Sequence, residues 1–290
     1  VATARVGDID LDHEVIGSGT PLVMIMGIGA SGVLWDDDLI GAFVDRGFQV
    51  IRFDHRDIGK STRLDHLPVP HPRDSLLRGF LGLPVDAPYT LSDLAGDTVG
   101  LLDHLGISRA HVIGISMGGM VAQHLAIEHP DRVLSMTSLS STSGTRRYLP
   151  TRKAMKALFM PRPRDADQAV ELMVQMFHVI GSPGFPRDEA RLRVLARRAV
   201  DRGLAPRGFL RHFAAIMASG DRQKRLRRVT TPSLVIHGVD DPLIRVGAGR
   251  STARSIPNAW WLPIDGMGHD LPKPIWPRLV DAVVLRAKTA

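Results

Sequence analysis

A chain of 290 residues with 44% hydrophobic residues, 23% charged residues and a net charge of +7 has room for one α/β domain or two small ones, in the balance typical of water-soluble globular proteins. Cysteine is absent, which excludes disulfides, thiolate catalysis and cysteine-ligated zinc, so a covalent nucleophile has to be an oxygen or an amine. No apolar run approaches the roughly 20 residues that span a bilayer, and the opening Val1-Ala2-Thr3-Ala4-Arg5 lacks the regions of a signal peptide, so a cytoplasmic protein without a membrane span is expected.

In chain order, Ala4–Val6 and Ile9–Val15 predict a short antiparallel start, followed by a Gly-Ser-Gly turn at Gly17–Gly19. Apolar runs at Leu22–Met26, Gln49–Phe53, Ala110–Ile115 and Val133–Leu139 then alternate with amphipathic stretches at Trp35–Val44, Leu91–Leu105 and Met117–Glu128. Such alternation predicts an α/β fold with a mostly parallel sheet covered by helices on both faces. From about Gly144 to Gly220 the strand pattern gives way to helical periodicity, broken at Pro161, Pro163, Pro183, Pro186 and Pro206. Strand character returns at Ser233–Ile236 and Ala259–Leu262, with helices expected over Arg250–Ile256 and Ile275–Ala287. The expected organisation is therefore one core domain, residues 1–143 and 221–290, interrupted by a helical cap, residues 144–220.

The basicity is local, because residues 144–230 hold 20 Lys and Arg against 7 Asp and Glu. A nucleic-acid surface is the sharper interpretation. However, Arg191, Arg197, Arg198 and Arg202 interleave with Leu192, Leu195, Ala199 and Val200 as on an amphipathic helix. A solvated helix face is the expectation, and no nucleic-acid partner is implied.

The segment His111-Val112-Ile113-Gly114-Ile115-Ser116-Met117-Gly118-Gly119 delivers one serine into a strand-to-helix turn. Reversing direction within about one residue forces that serine towards a backbone geometry disfavoured for side-chain-bearing residues, and Gly114 and Gly118 remove the Cβ atoms that would collide. The hydroxyl stands exposed at a strand end, where the following helix aims free N–H groups at developing negative charge. A serine nucleophile also needs a base and a carboxylate to orient that base. Candidates follow two later strands, in His237-Gly238-Val239-Asp240-Asp241 and in Asp265-Gly266-Met267-Gly268-His269-Asp270. Both lie where open α/β sheets build their sites.

With these motifs the chain resembles the α/β-hydrolase superfamily, of the serine esterase type with a helical cap. The Met26-Gly27 opening, the Asp54-His55-Arg56-Asp57 turn and the Gly266-Met267-Gly268-His269 ending are similar to those of aclacinomycin methylesterase-like and cofactor-free haloperoxidase-like hydrolases. The resemblance spans nearly the whole chain and implies a triad of Ser116, Asp241 and His269, with Asp240 as the rival acid. It implies backbone oxyanion donors at Met117 and Ile28, although Met26 stands where many members carry histidine. Arg56 and Asp57 are expected to tie loops together, and His104, His124, His129 and His237 to be structural. No cofactor or metal is implied. The expected partner is a small-molecule ester, with the oligomeric state, a homodimer included, left open.

Serine at the nucleophile position argues against dehalogenase and epoxide hydrolase chemistry and leaves acyl chemistry. Ester hydrolysis through an acyl-enzyme leads, and carbon-carbon bond hydrolysis or cofactor-free perhydrolysis and haloperoxidation are the alternatives. A non-catalytic ligand receptor on the same fold is the rival class. Gly27-Ile28-Gly29-Ala30-Ser31-Gly32 with Asp54 imitates a dinucleotide fingerprint, but Asp36-Asp37-Asp38 would set carboxylates against a pyrophosphate. Gly59-Lys60-Ser61 imitates the end of a P-loop, which would need glycine where Asp54 stands. Met155, Leu158, Phe159, Met160, Met173, Met176 and Phe177 suggest an apolar, adaptable lining for short to medium acyl or bulky apolar esters, and packing among the cap's own helices competes with that reading.

Overall fold

The computed structural model describes residues 2–159 and 163–290, so Met160 and Pro161 lie outside the described residues. Strands β1 (Ala2–Val6), β2 (Ile9–Ile16), β3 (Thr20–Ile25), β4 (Phe48–Phe53), β5 (Ala110–Ile115), β6 (Val133–Leu139), β7 (Ser233–Gly238) and β8 (Trp260–Ile264) form one sheet. Its order is β1-β2-β4-β3-β5-β6-β7-β8. The pairs β1/β2 and β2/β4 are antiparallel and every later pair is parallel. All six residues of β5 are buried, as a central strand covered on both faces requires.

The helices are α1 (Asp37–Val44), α2 (Pro72–Leu81), α3 (Leu91–His104), α4 (Met117–Glu128), α5 (Arg152–Leu158), α6 (Ala166–Ile180), α7 (Glu189–Asp201), α8 (Pro206–Ser219), α9 (Gln223–Leu226), α10 (Val246–Ser255) and α11 (Trp276–Ala287). Two apolar cores flank the sheet. One packs α3 and α4 through residues such as Leu94, Leu101, Val121 and Leu125. The other packs α1 and α11 through Leu39, Phe43, Leu279 and Val283. Helices α5–α8 all fall between β6 and β7, and α6 and α7 share a small core of Ala169, Val170, Ala196 and Val200.

The α7 arginines correct the expectation of a simply solvated face. Arg191 donates to Asp36 at 2.7 Å and Arg198 to Asp37 at 2.7 Å. Arg202, only 11% exposed, donates to Asp54 at 2.7 Å and also to Asp12. The basic helix is thus tied to the acidic edge of the sheet core, while Arg193 and Arg197 pair with acids of α6 and α7 on the outer side. Asp54, the acid of the dinucleotide imitation, is engaged within the fold on both oxygens. Asp36 caps α1 by accepting from Asp38 N, and Asp54 spends one oxygen on Ser31 Oγ and Gly32 N.

Candidate active site

The turn from β5 into α4 places Ser116 at φ 56° and ψ −119°, a strained position for a residue with a side chain. The flanking glycines are obligatory on steric grounds. A Cβ at Gly114 would stand 2.1 Å from the carbonyl oxygen of Gly118, and one at Gly118 would stand 2.1 Å from that of Ile25. The turn is held from outside as well, by Ser116 N donating to Leu139 O at 2.9 Å and Ser141 Oγ donating to Ser116 O at 2.7 Å.

Three of the singled-out side chains meet. His269 Nε2 lies 3.1 Å from Ser116 Oγ, and His269 Nδ1 lies 2.6 Å from Asp241 Oδ2. A carboxylate only accepts, so Nδ1 carries the hydrogen and Nε2 is left with its lone pair facing the serine. Asp241 is immobilised by its other oxygen, which accepts from Leu243 N and Ile244 N at 2.8 Å each. Asp240 points elsewhere, accepting from Gly266 N at 2.9 Å. His237 ends β7 and donates Nε2–H to Ile244 O at 2.7 Å, with burial pushing its pKa down.

The loop after β3 runs beside the serine, since a Cβ at Gly27 would lie 3.3 Å from Ser116 Cβ and 3.8 Å from its Oγ. Neither Ile28 N nor Met117 N, the first residue of α4, has an acceptor among the described residues. The Asp54–Ser61 turn is a tie, but it is fastened to helices α3 and α8 as well as to a loop, where ties between loops were expected. Arg56 donates to Asp97 of α3 at 2.5 and 2.6 Å, and Asp57 takes a two-pronged contact from Arg211 of α8 and another from Tyr89. Burial opposes ionisation of Asp57, but the hydrogen bonds from Arg211 and Tyr89 outweigh it and hold the carboxyl below the usual range.

Above Ser116 and His269 opens a cavity of about 1020 Å³ walled by α5–α8 and the β3 loop. Leu158, Phe159, Met173, Met176 and Phe177 line it, so the apolar lining read from the sequence holds for those five. Met173 packs on the α6/α7 core as well, and Met155 is not at the wall. The end of α6 is stitched to the histidine loop. His269 N donates to Ile180 O at 2.7 Å, Gly268 N to Ser182 Oγ at 2.9 Å, and Ser182 Oγ to Asp270. Burial raises the pKa of Asp270. Ser182 and Asp270 went unread in the sequence as parts of the site.

The arrangement can deprotonate a hydroxyl beside two free N–H donors under an apolar roof, the requirement of acyl transfer. Rhodomycin D methylesterase of Streptomyces peucetius is 29% identical to this chain, across 98% of it and 96% of the relative. The enol-lactonase of Burkholderia xenovorans LB400 superposes with a TM-score of 0.74 at 21% identity, covering 99% of this chain and all of the other. A meta-cleavage product hydrolase from Pseudomonas fluorescens IP01 gives a TM-score of 0.75 at 20% identity, covering 100% and 98%. The family described as alpha/beta hydrolase fold matches residues 20–272. The chain belongs to the α/β-hydrolase fold family.

Proposed function

We propose that this protein is a serine hydrolase of carboxylic esters, with residues 144–220 acting as a helical cap over a core of residues 1–143 and 221–290. The observation that carries the reading is the relay of Ser116 Oγ, His269 Nε2 and Asp241 Oδ2, at 3.1 and 2.6 Å, at the floor of an apolar cavity. Ser116 attacks the ester carbonyl as its proton passes to His269 Nε2, and Asp241 stabilises the imidazolium that forms. The tetrahedral oxygen is held by Met117 N–H and Ile28 N–H. His269 then hands the proton to the departing alcohol, leaving an acyl-enzyme on Ser116, and the same steps with water release the acid.

The methylesterase relative supports ester cleavage. A cavity of about 1020 Å³ with an apolar lining favours short to medium acyl esters or bulky apolar ones. The test is hydrolysis of p-nitrophenyl acetate and butyrate by the wild type and Ser116→Ala, run beside labelling by a fluorophosphonate. The variant is expected to lose both hydrolysis and labelling, and hydrolysis at the wild-type rate would sink the assignment.

A further inference from the structure

Two buried histidines grip the loop that carries Ile28. His55, two residues after β4, has Nε2 3.2 Å from Met26 O, and a carbonyl only accepts, so Nε2 carries the hydrogen. His212, on α8, has Nδ1 3.3 Å from Gly29 N, and a backbone N–H only donates, so Nδ1 is the bare nitrogen. Its Nε2–H then donates to Arg56 O at 3.0 Å. Both rings are almost wholly enclosed and pack edge to face at 5.7 Å, with Phe53 and Tyr89 completing the block.

The loop is a turn closed by Ala30 N donating to Gly27 O at 3.3 Å, with a positive φ of 65° at its third residue, Gly29. That is the signature of a type II turn. The alternative type I turn keeps the same closure but rotates the Ile28–Gly29 peptide by about half a revolution. Gly29 N–H would then leave His212. His55 fixes the Met26–Gly27 peptide and His212 the Ile28–Gly29 peptide, so the Gly27–Ile28 peptide between them, with its free N–H, has both flanks held. The contact on α8 is more than one hydrogen bond, because Phe209, three residues before His212, packs directly against Gly29.

We propose that His212 and His55 are positioning residues that aim Ile28 N–H at the oxyanion, so the inserted helix α8 helps to set the oxyanion hole as well as to wall the cavity. The inference rests on the ester hydrolase reading above. Burial supports it by pushing the pKa of His212 down to about 4 and that of His55 to about 3. A protonated His212 would turn a second N–H against Gly29 N–H.

Asparagine and glutamine separate the two nitrogens, since the asparagine amide overlays Nδ1 and the glutamine amide overlays Nε2. His212→Asn keeps an acceptor for Gly29 N–H and His212→Gln does not, whereas at position 55 only His55→Gln keeps the donor to Met26 O. With p-nitrophenyl butyrate as substrate, His212→Gln and His55→Asn are expected to lose about 30-fold in kcat with KM within about threefold, below the full cost of a deleted donor. His212→Asn and His55→Gln are expected to stay within about fivefold of wild type. Equal losses for both amides at each position, or losses carried by KM, would overturn the proposal. Ser116→Ala run in parallel keeps the two readings apart: if it is inactive while all four histidine variants keep wild-type kcat, only the positioning role fails. If Ser116→Ala is active, the parent reading fails.

Discussion

Replacing Asp241 by asparagine tests the relay at its least forgiving point. Oδ1 of Asp241 accepts from two backbone amides, Leu243 N and Ile244 N, at 2.8 Å each. An asparagine must keep its oxygen on those two donors, because its NH₂ group cannot accept them. The NH₂ group is therefore turned towards His269 Nδ1, which in the wild type donates to Oδ2 across 2.6 Å. The imidazole adapts by carrying its hydrogen on Nε2, which then points at Ser116 Oγ and can no longer take a proton from it. The expected loss is about 10⁴-fold in kcat, or ~5.5 kcal/mol of barrier, with KM little changed because the cavity wall is untouched. Steady-state hydrolysis of p-nitrophenyl butyrate reads the loss, and thermal unfolding by circular dichroism checks that the turn survives. A kcat within tenfold of wild type in a folded Asp241→Asn would refute the reasoning. Asp240→Asn serves as the control, because that side chain only ties down Gly266 N, and it is expected to leave kcat within about twofold at a cost of about 1 kcal/mol of stability.

Three further outcomes are expected. Arg202→Met leaves Asp12 and Asp54 buried without their shared cation and should cost about 3–5 kcal/mol in urea unfolding, while Arg198→Met, whose pair is 41% and 53% exposed, should cost no more than about 1 kcal/mol. Stability should fall as pH drops below about 6.5 towards 4 and 3, because the unfolded chain gains protons on His212 and His55 before the folded one does, with Arg56 and Arg211 opposing that protonation and Asp57 favouring it. His212→Asn should remove up to about 3 kcal/mol of that dependence, read from unfolding midpoints at pH 7 and 4, and an unchanged slope would count against a neutral buried ring. An ester survey should favour a butyryl over a succinyl half-ester by at least about tenfold in kcat/KM, because the free carboxylate would have to be desolvated against a mostly apolar wall on which the cations Arg191 and Lys273 are already paired with Asp36 and Asp38.

The candidate site was legible wherever chemistry imposes a local steric or positional demand. Ser116 needs glycine on both sides because carbonyl oxygens occupy the places of the missing Cβ atoms, and that need prints a motif. Asp241 and His269 follow the ends of β7 and β8, so strand ends alone narrowed the search. Helix α2 was not read because its pattern is inverted: Ser75 and Gly79 face α8, while Leu76, Leu77, Phe80 and Leu81 are exposed. The start of α10 was missed for a related reason. Gly247 and Gly249 resemble a loop, but they are small because Tyr148 and the His237 ring crowd against them. His212 meets Gly29 across 183 residues of chain, and no local pattern marks a partner at that distance.

The charge distribution held information that periodicity concealed. Interleaved arginines on α7 satisfy the pattern of a solvated face, yet an excess of base in one stretch and of acid in the remainder is also the trace of two surfaces that pair. The pairing bears on the site because of where its acids sit. Asp54 joins Arg202, which caps the end of α7, to Ser31 and Gly32, just beyond the Gly27–Ala30 turn, and Asp57 joins Arg211 of α8 to the turn after β4. Arg211 and Asp57 are almost wholly buried, so breaking that contact would strand a charge in the interior and cost far more than a surface pair. The inserted helices are consequently fastened to the strand-end loops that build the floor of the cavity. A substitution in α7 or α8 that changes the wall is therefore expected to move the floor with it.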